Sequence, residues 1–166
     1  MIDYGALDDI YVVMSTPGKA APAVHELVAL PDGMFPGALA IAMGDSVRVV
    51  NKTRLTLTFF ISGQNTDYFD EMPPLAPGAE GVVAVRAEGL LELRADENEN
   101  FVAPILSGKD FLVRRVKSGD EYAFMNVPPG PYHLTFWYWR LGRLDSDVTA
   151  IANQSVRKDA VLAVDT

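Results

Sequence analysis

Two histidines, His25 and His133, and no cysteine are what this chain offers to nucleophilic or soft-metal chemistry. The missing thiol removes thiolate nucleophiles, cysteine-ligated zinc, iron–sulfur clusters and blue-copper ligation, all of which use cysteine sulfur. A Ser-His-Asp arrangement would have to use one of the two histidines, and the chain has no Gly-x-Ser-x-Gly elbow. His133 reads as a strand residue on the face opposite Tyr132 and Leu134, and His25 as a strand or helix edge. Carboxylates gather in Asp67–Glu71, in Asp96-Glu97-Asn98-Glu99-Asn100 and in Asp145-Ser146-Asp147. Such hard oxygens suit calcium, but the glycine and the ligand order of an EF-hand loop are missing, so these segments read as solvated acidic turns. No pair of carboxylates is singled out by spacing as the acid and base of glycoside hydrolysis. Met34 and Met43 with His25 form a soft-ligand set for Cu(I) on paper; they are scattered, and read as core filler.

The elements that must position these groups come from a chain of 166 residues, enough for one full-sized domain or two small ones. Hydrophobic residues make up 49% and charged residues 22%, the composition of a folded globular protein. Lys and Arg number 14 against 22 Asp and Glu, and the net charge of -8 repels phosphate backbones and anionic lipid surfaces. Nucleic acid is therefore not an expected partner. Membrane insertion is not expected either, because no apolar run approaches the length of a span. Met1 to Leu30 lacks a basic start followed by a long apolar block, so an exported protein would have had its leader removed from this sequence.

Apolar runs are short and bounded by Gly, Pro, Asn or Asp, which predicts an all-β chain. Expected strands are Ile10–Met14, Leu39–Met43, Ser46–Val50, Leu55–Ile61, Val82–Ala87, Leu90–Ala95, Phe111–Lys117, Tyr122–Asn126, Tyr132–Trp139, Val148–Ala152 and Val156–Val164. Ala20–Leu30 fits a short helix or a strand, with the strand preferred. Alternation in Leu55-Thr56-Leu57-Thr58-Phe59 predicts that Leu55, Leu57 and Phe59 share a buried face. In Tyr132–Trp139 it places Tyr132, Leu134, Phe136 and Tyr138 on one face and His133, Thr135, Trp137 and Trp139 on the other. One face fills a core. The second packs on a neighbouring domain, or else Trp137 and Trp139, followed by Arg140 and Arg143, form a surface for a protein partner or a sugar.

Two segments carry a family resemblance. Phe35-Pro36, followed by Gly44-Asp45-Ser46-Val47-Arg48-Val49-Val50-Asn51, resembles the cupredoxin-like domain of bacterial exported proteins of the methylamine-utilisation-like type. Tyr122-Ala123-Phe124-Met125-Asn126-Val127-Pro128-Pro129-Gly130-Pro131-Tyr132-His133-Leu134 is similar to their transthyretin-like, or carboxypeptidase-regulatory-like, β-sandwich. The resemblance implies a cupredoxin-like Greek-key sandwich over residues 34–107 and a second small transthyretin-like β-sandwich over 1–33 and 108–166, or one fused unit. It also implies copper ligands at Leu57, Ala95, Asn98 and Phe101, and none of these is a ligand of that family. A type-1 site needs a cysteine thiolate and two imidazoles, which this chain cannot assemble.

The sequence therefore leads to a non-catalytic, metal-free and cofactor-free module of the bacterial envelope that binds a protein partner or serves as a structural subunit, a homo-oligomer being compatible with it. Periplasmic or otherwise exported placement is expected, with the cytoplasm left open. Two other classes stand beside this reading: a protein that handles copper or calcium through Met34, Met43, His25 or the Asp96–Asn100 loop, and a carbohydrate-binding protein built on Trp137 and Trp139.

Overall fold

Turn-forming residues cut the chain into strands too short for any helix, and a computed structural model shows this over residues 10–15, 22–64, 66–125, 127–152, 154, 156, 158 and 160. The described residues form β1 (Ile10–Ser15), β2 (Val24–Leu30), β3 (Gly33–Phe35), β4 (Leu39–Ala42), β5 (Ser46–Asn51), β6 (Phe59–Gly63) and β7 (Phe69–Glu71). They continue with β8 (Glu80–Ala84), β9 (Gly89–Ala95), β10 (Asn98–Gly108), β11 (Phe111–Val116), β12 (Gly130–Tyr138) and β13 (Gly142–Ala150). The protein is all-β, as its turn pattern requires. Among the described residues no helix is long and apolar enough to cross a membrane.

One compact unit contains the described residues from 22 to 110, and a second is built from β1 and the strands that follow Asp110. The larger unit has two sheets, ordered β4-β10-β9-β6-β7 and β3-β2-β5-β8. Two of its pairings are parallel, β2 with β5 and β10 with β4, and the others are antiparallel. Both sheets supply the same core: Leu27, Val47, Val49 and Val83 from one, Ile41, Phe59, Ile61, Leu91, Leu93 and Ile105 from the other. Each of these large side chains contributes roughly 1.5–3 kcal/mol by leaving water, so the shared core is what holds the two sheets face to face.

The expected boundary at residue 34 does not match this architecture. Val24–Leu30 pairs along its length with Ser46–Asn51, and Gly33–Phe35 pairs back onto Val28–Leu30, so residues 22–33 belong with the larger unit. At the other end the division falls at Asp110. Composition is uniform across both points, and only strand pairing defines them.

The strand expected over Leu55–Ile61 begins only at Phe59, and Leu55 is 52% exposed. Asn51 is the reason. Fully buried, it donates from Nδ2 to the carbonyls of Leu55 (2.7 Å) and Leu75 (2.9 Å), and its Oδ1 accepts from the Thr53 amide (3.0 Å) and hydroxyl (2.7 Å). These bonds fold 52–55 into a turn, after which Leu57 makes a single bridge to Leu75. The longest strand, β10, escapes the sequence pattern because Asn98-Glu99-Asn100 reads as a loop and Pro104 argues against a central strand. Pro104 is accommodated just before pairing with β4 begins at Ile105.

The smaller unit is an antiparallel sheet ordered β11-β1-β12-β13. Val12, Met14, Tyr132, Leu134 and Phe136 form its core, and Tyr122 and Phe124 pack on it. Of the strand expected over Tyr122–Asn126, the described residues 122–125 are not a strand; Tyr122 stands edge-on to Phe136 with ring centroids 5.6 Å apart and covers the sheet from a loop. The Pro128-Pro129-Gly130 turn uses glycine because φ is 147° at Gly130, and Tyr132 then donates to the Pro128 carbonyl at 2.6 Å. Most of the strand expected over Val156–Val164 lies outside the described residues.

Asn51→Ala strands the buried Thr53 amide, at about 1–3 kcal/mol for a group left without a partner, and takes one of two donors from the Leu55 and Leu75 carbonyls, which keep the Thr53 hydroxyl (3.2 Å) and the Leu57 amide (3.0 Å). Urea unfolding is expected to show a loss of about 1–3 kcal/mol for this variant, and a smaller loss for Thr53→Val, which leaves both Asn51 Nδ2 bonds in place. Equal losses for the two variants would refute the assignment of the turn to Asn51.

Candidate functional site

The hairpin formed by β12 and β13 holds all four residues marked by sequence for binding. Its two strands pair in continuous register from Gly130↔Ala150 to Tyr138↔Gly142. Trp139, Arg140 and Leu141 make a three-residue loop, closed by a Leu141 amide to Tyr138 carbonyl bond of 3.0 Å and by Gly142 at a φ of 88°. That geometry is a tight turn completed by a glycine in the left-handed region.

The turn ends the strand alternation at Tyr138, so Trp137 and Trp139 do not share a face. Trp137 is 4% exposed and lies 6.0 Å from the Tyr11 ring, whereas Trp139 is 36% exposed at the tip. Arg140 sits over the Trp139 ring, 4.6 Å from its centroid. Arg143, opposite Trp137 in the ladder, is committed elsewhere: its Nε donates to Asp145 Oδ2 (3.0 Å) and its Nη2 to Asp145 Oδ1 (2.8 Å). The expected four-residue surface is thus divided into an exposed Trp139–Arg140 tip, a buried Trp137 and an ion-paired Arg143.

Asp145 and Asp147, read from sequence as an acidic turn, lie mid-strand. Register places Asp147 opposite His133 and Asp145 opposite Thr135. His133 Nδ1 is 3.0 Å from Asp147 Oδ1 and its Nε2 is 3.0 Å from Asp145 Oδ1, while Thr135 Oγ1 donates to Asp145 Oδ1 at 2.7 Å. Both ring nitrogens can donate at once only in the imidazolium. Hydrogen bonds to Asp147 and Asp145 accordingly raise the His133 pKa above 6.5, against a smaller opposing effect of burial. The Arg143 guanidinium, then Thr135 and His133, hold the Asp145 carboxyl well below its usual range, although burial acts the other way. The signal was present in the sequence as Gly142-Arg143-x-Asp145-x-Asp147 opposing His133-x-Thr135, but it becomes readable only once the turn is fixed at residues 139–141.

The four positions at which the resemblance implies copper ligands lie close along the ladder of the larger unit. Ala95 pairs with both Phe59 and Asn98, and Leu57, Ala95 and Phe101 all belong to the hydrophobic core. Asn98 Oδ1 accepts from the Asn100 amide at 2.9 Å. In the neighbouring turn the Glu97 carboxylate accepts the Thr58 amide at 2.6 Å, so this acidic segment ties backbone together. Phe69–Glu71 of the other acidic segment is strand β7. His25 Nε2 meets Asp45 Oδ2 at 2.8 Å, and Asp45 Oδ1 accepts the Ala23 amide at 3.0 Å. Met34 packs on the core, and Met43 makes a bridge to Asp45. Among the described residues no group of three His, Cys, Asp or Glu is placed to hold a metal ion.

No protein-family model matches the chain, and no curated protein matches it. Solved structures similar to it include a Cu-containing nitrite reductase from Thermus scotoductus SA-01, at 14% identity and a TM-score of 0.44 over 56% of this chain. That match spans 24% of the reductase, so the chain corresponds to about a quarter of its length. A purple cupredoxin from Nitrosopumilus maritimus is similar at 15% identity and a TM-score of 0.44, over 50% of this chain and 98% of the cupredoxin. A variant of amicyanin in its Cu(I) form is similar at 10% identity and a TM-score of 0.45, over 57% of this chain and 97% of amicyanin.

The His133 cluster has a definite pH signature. A raised His133 pKa stabilises the fold below the ordinary imidazole value of 6.5, and this contribution is lost as pH rises through the folded-state value. The lowered Asp145 pKa stabilises above the ordinary 3.8 and is lost as pH falls through the folded-state value. Their joint contribution is therefore greatest between about pH 4 and 6.5, and it stays within about 1 kcal/mol because the two side chains are 44% and 39% exposed. NMR titration of the His133 ring is expected to give a pKa above 6.5 that falls in both Asp147→Asn and Asp145→Asn. An unperturbed midpoint in the parent protein would contradict this account.

Proposed function

We propose that this protein is a non-catalytic, metal-free, cupredoxin-like β-sandwich module of the bacterial envelope that binds a protein partner. One observation carries the reading: Leu57, Ala95 and Phe101, which occupy positions of copper ligands in the family resembled, are buried members of one hydrocarbon core. Hydrocarbon at these positions offers a metal ion no donor atoms, and with no cysteine anywhere a type-1 site has no thiolate. The two imidazoles are engaged separately, His25 by Asp45 on one sheet and His133 by Asp145 and Asp147 on another. The envelope location follows from the resemblance alone.

The exposed Trp139–Arg140 tip is the contact we assign to the partner. An indole with a guanidinium on its face combines a large apolar surface with a fixed cation, a pairing enriched among residues that dominate binding energy. A sugar platform of two indoles is a poorer fit, since Trp137 is buried and Arg140 already covers Trp139.

Protein grown with excess copper and calcium is expected to carry neither metal stoichiometrically on elemental analysis; one copper or calcium per chain would overturn the metal-free reading in favour of metal handling. Affinity capture from native cells tests the partner. A species retained by the parent protein and lost with Trp139→Ala, whose fold should remain intact by circular dichroism, is the expected result; identical captures would exclude the hairpin tip.

A further inference from the structure

The outer face of the sheet β3-β2-β5-β8 is apolar where an antiparallel or mixed sheet open to water normally carries polar groups. Leu27, Ala29, Val47, Val49 and Val83 point into the core, so the alternate residues Val24, Val28, Val50 and Val82 point out of it. Strand register sets them in rows, Phe35–Val28–Val50–Glu80 and Glu26–Arg48–Val82. Val24, Phe35 and Val82 are 55%, 56% and 57% exposed. Exposed apolar side chains gathered on one sheet face mark an interaction surface.

The charges within the patch indicate what covers it. Glu26 and Arg48 are register partners on adjacent strands, side by side in the middle of the face. Among the described residues neither side chain has an ion-pair partner. A two-fold axis lying in the interface, parallel to the strands and midway between β2 and β5, lays Glu26 of one copy on Arg48 of the other, and Arg48 on Glu26. The patch is therefore complementary to itself, which is the requirement for an isologous dimer. A net charge of -8 opposes contact between two copies at most surfaces, whereas here the central pair is neutral and most of its neighbours are uncharged.

We propose that a second copy of this chain docks on this face, sheet against sheet, with two reciprocal Glu26–Arg48 pairs set among valines. The face measures roughly 20 Å by 15 Å from strand rise and spacing, smaller than the roughly 800 Å² per partner of a standard stable interface. The dimer is accordingly weak and reversible, with a dissociation constant in the micromolar range or above. The surface lies on a different unit from the hairpin tip, and this inference does not depend on the partner reading.

Sedimentation velocity of the full chain over a concentration series tests it. The parent protein is expected to show a concentration-dependent dimer. Glu26→Arg alone and Arg48→Glu alone should each weaken association at least about tenfold, because each places like charges across the interface. An equimolar mixture of the two variants is expected to associate again, since an all-basic pair then faces an all-acidic one. That recovery cannot arise from repaired folding, as neither chain changes on mixing. If either variant loses its folded circular dichroism spectrum, Val82→Lys takes its place and is expected to abolish the dimer. A parent protein that stays monomeric, a dimer that survives the charge variants, or a mixture that fails to associate would each overturn the proposal, and Trp139→Ala should leave dimerisation unchanged.

Discussion

A single buried amide side chain organises the end of the larger unit. Asn51 can serve two carbonyls and two donors because a carboxamide carries two N–H groups and an oxygen with two lone pairs. Aspartate would lack the donors, and leucine would leave the buried Thr53 amide unserved and remove a donor from both carbonyls. The Asn51 backbone takes part as well, its amide bonding to the Ala79 carbonyl at 2.9 Å and its carbonyl accepting Gly78 N–H at 2.7 Å. One residue therefore ties the end of β5 to the turn at 53–55, to Leu75 and to the turn before β8. Mutual satisfaction in a low-dielectric setting makes such a network specific: a one-residue slip would break several bonds at once.

The course of the chain beyond that turn determines what the end of the sandwich can contain. Leu57 bridges to Leu75, β6 starts at Phe59, and Phe59 sits opposite Ala95. The Asp96 amide donates to the Thr58 carbonyl at 2.9 Å, while Glu97 accepts the Thr58 amide. This pair of contacts closes the 96–97 turn against the strand entering β6. Leu57, Phe59, Ala95 and Phe101 are all buried in the one hydrophobic core, so hydrocarbon takes the place of any polar constellation among them. Fold and function separate here, because a sandwich remains stable whichever residues fill its end, and only donor atoms make a metal site.

The parts of the fold visible in sequence were those with short-range causes. Strands β1, β4, β5, β9 and β11 lie within a residue or two of where alternation and turn residues put them. Failures had causes that the alternation pattern does not carry: a side-chain bond, a turn position or a strand partner. Leu55 follows a perfect alternating pattern yet is exposed, because Asn51 captures its carbonyl from outside the window in which alternation is read. Strand β10 contains a proline and begins with Asn98-Glu99-Asn100, and only its partners β9 and β4 make it a strand. For the hairpin residues, Trp137 and Trp139 are two apart and would share a face in any strand; the turn between Tyr138 and Gly142 separates them. His133, Thr135, Asp145 and Asp147 were individually visible, but their meeting depends on register, which no single segment encodes.

Two sheet faces in this protein illustrate opposite ways of treating the side not needed for a core. On β12 and β13 the pairs His133–Asp147 and Thr135–Asp145 build a polar ladder with Arg143, in which every charge has an opposite neighbour and solvent is excluded from none of them. Water competes well with such contacts, and the ladder contributes more to register than to stability. On β2, β5 and β8 four of the alternate positions are valines, Val24, Val28, Val50 and Val82, which gain nothing from solvent and contribute only when something covers them. The charges placed among those valines are register partners of opposite sign that have no ion pair among the described residues. Their value lies in orientation, because a mismatched approach would desolvate Glu26 or Arg48 without compensation, and the penalty for that exceeds what the surrounding valines return.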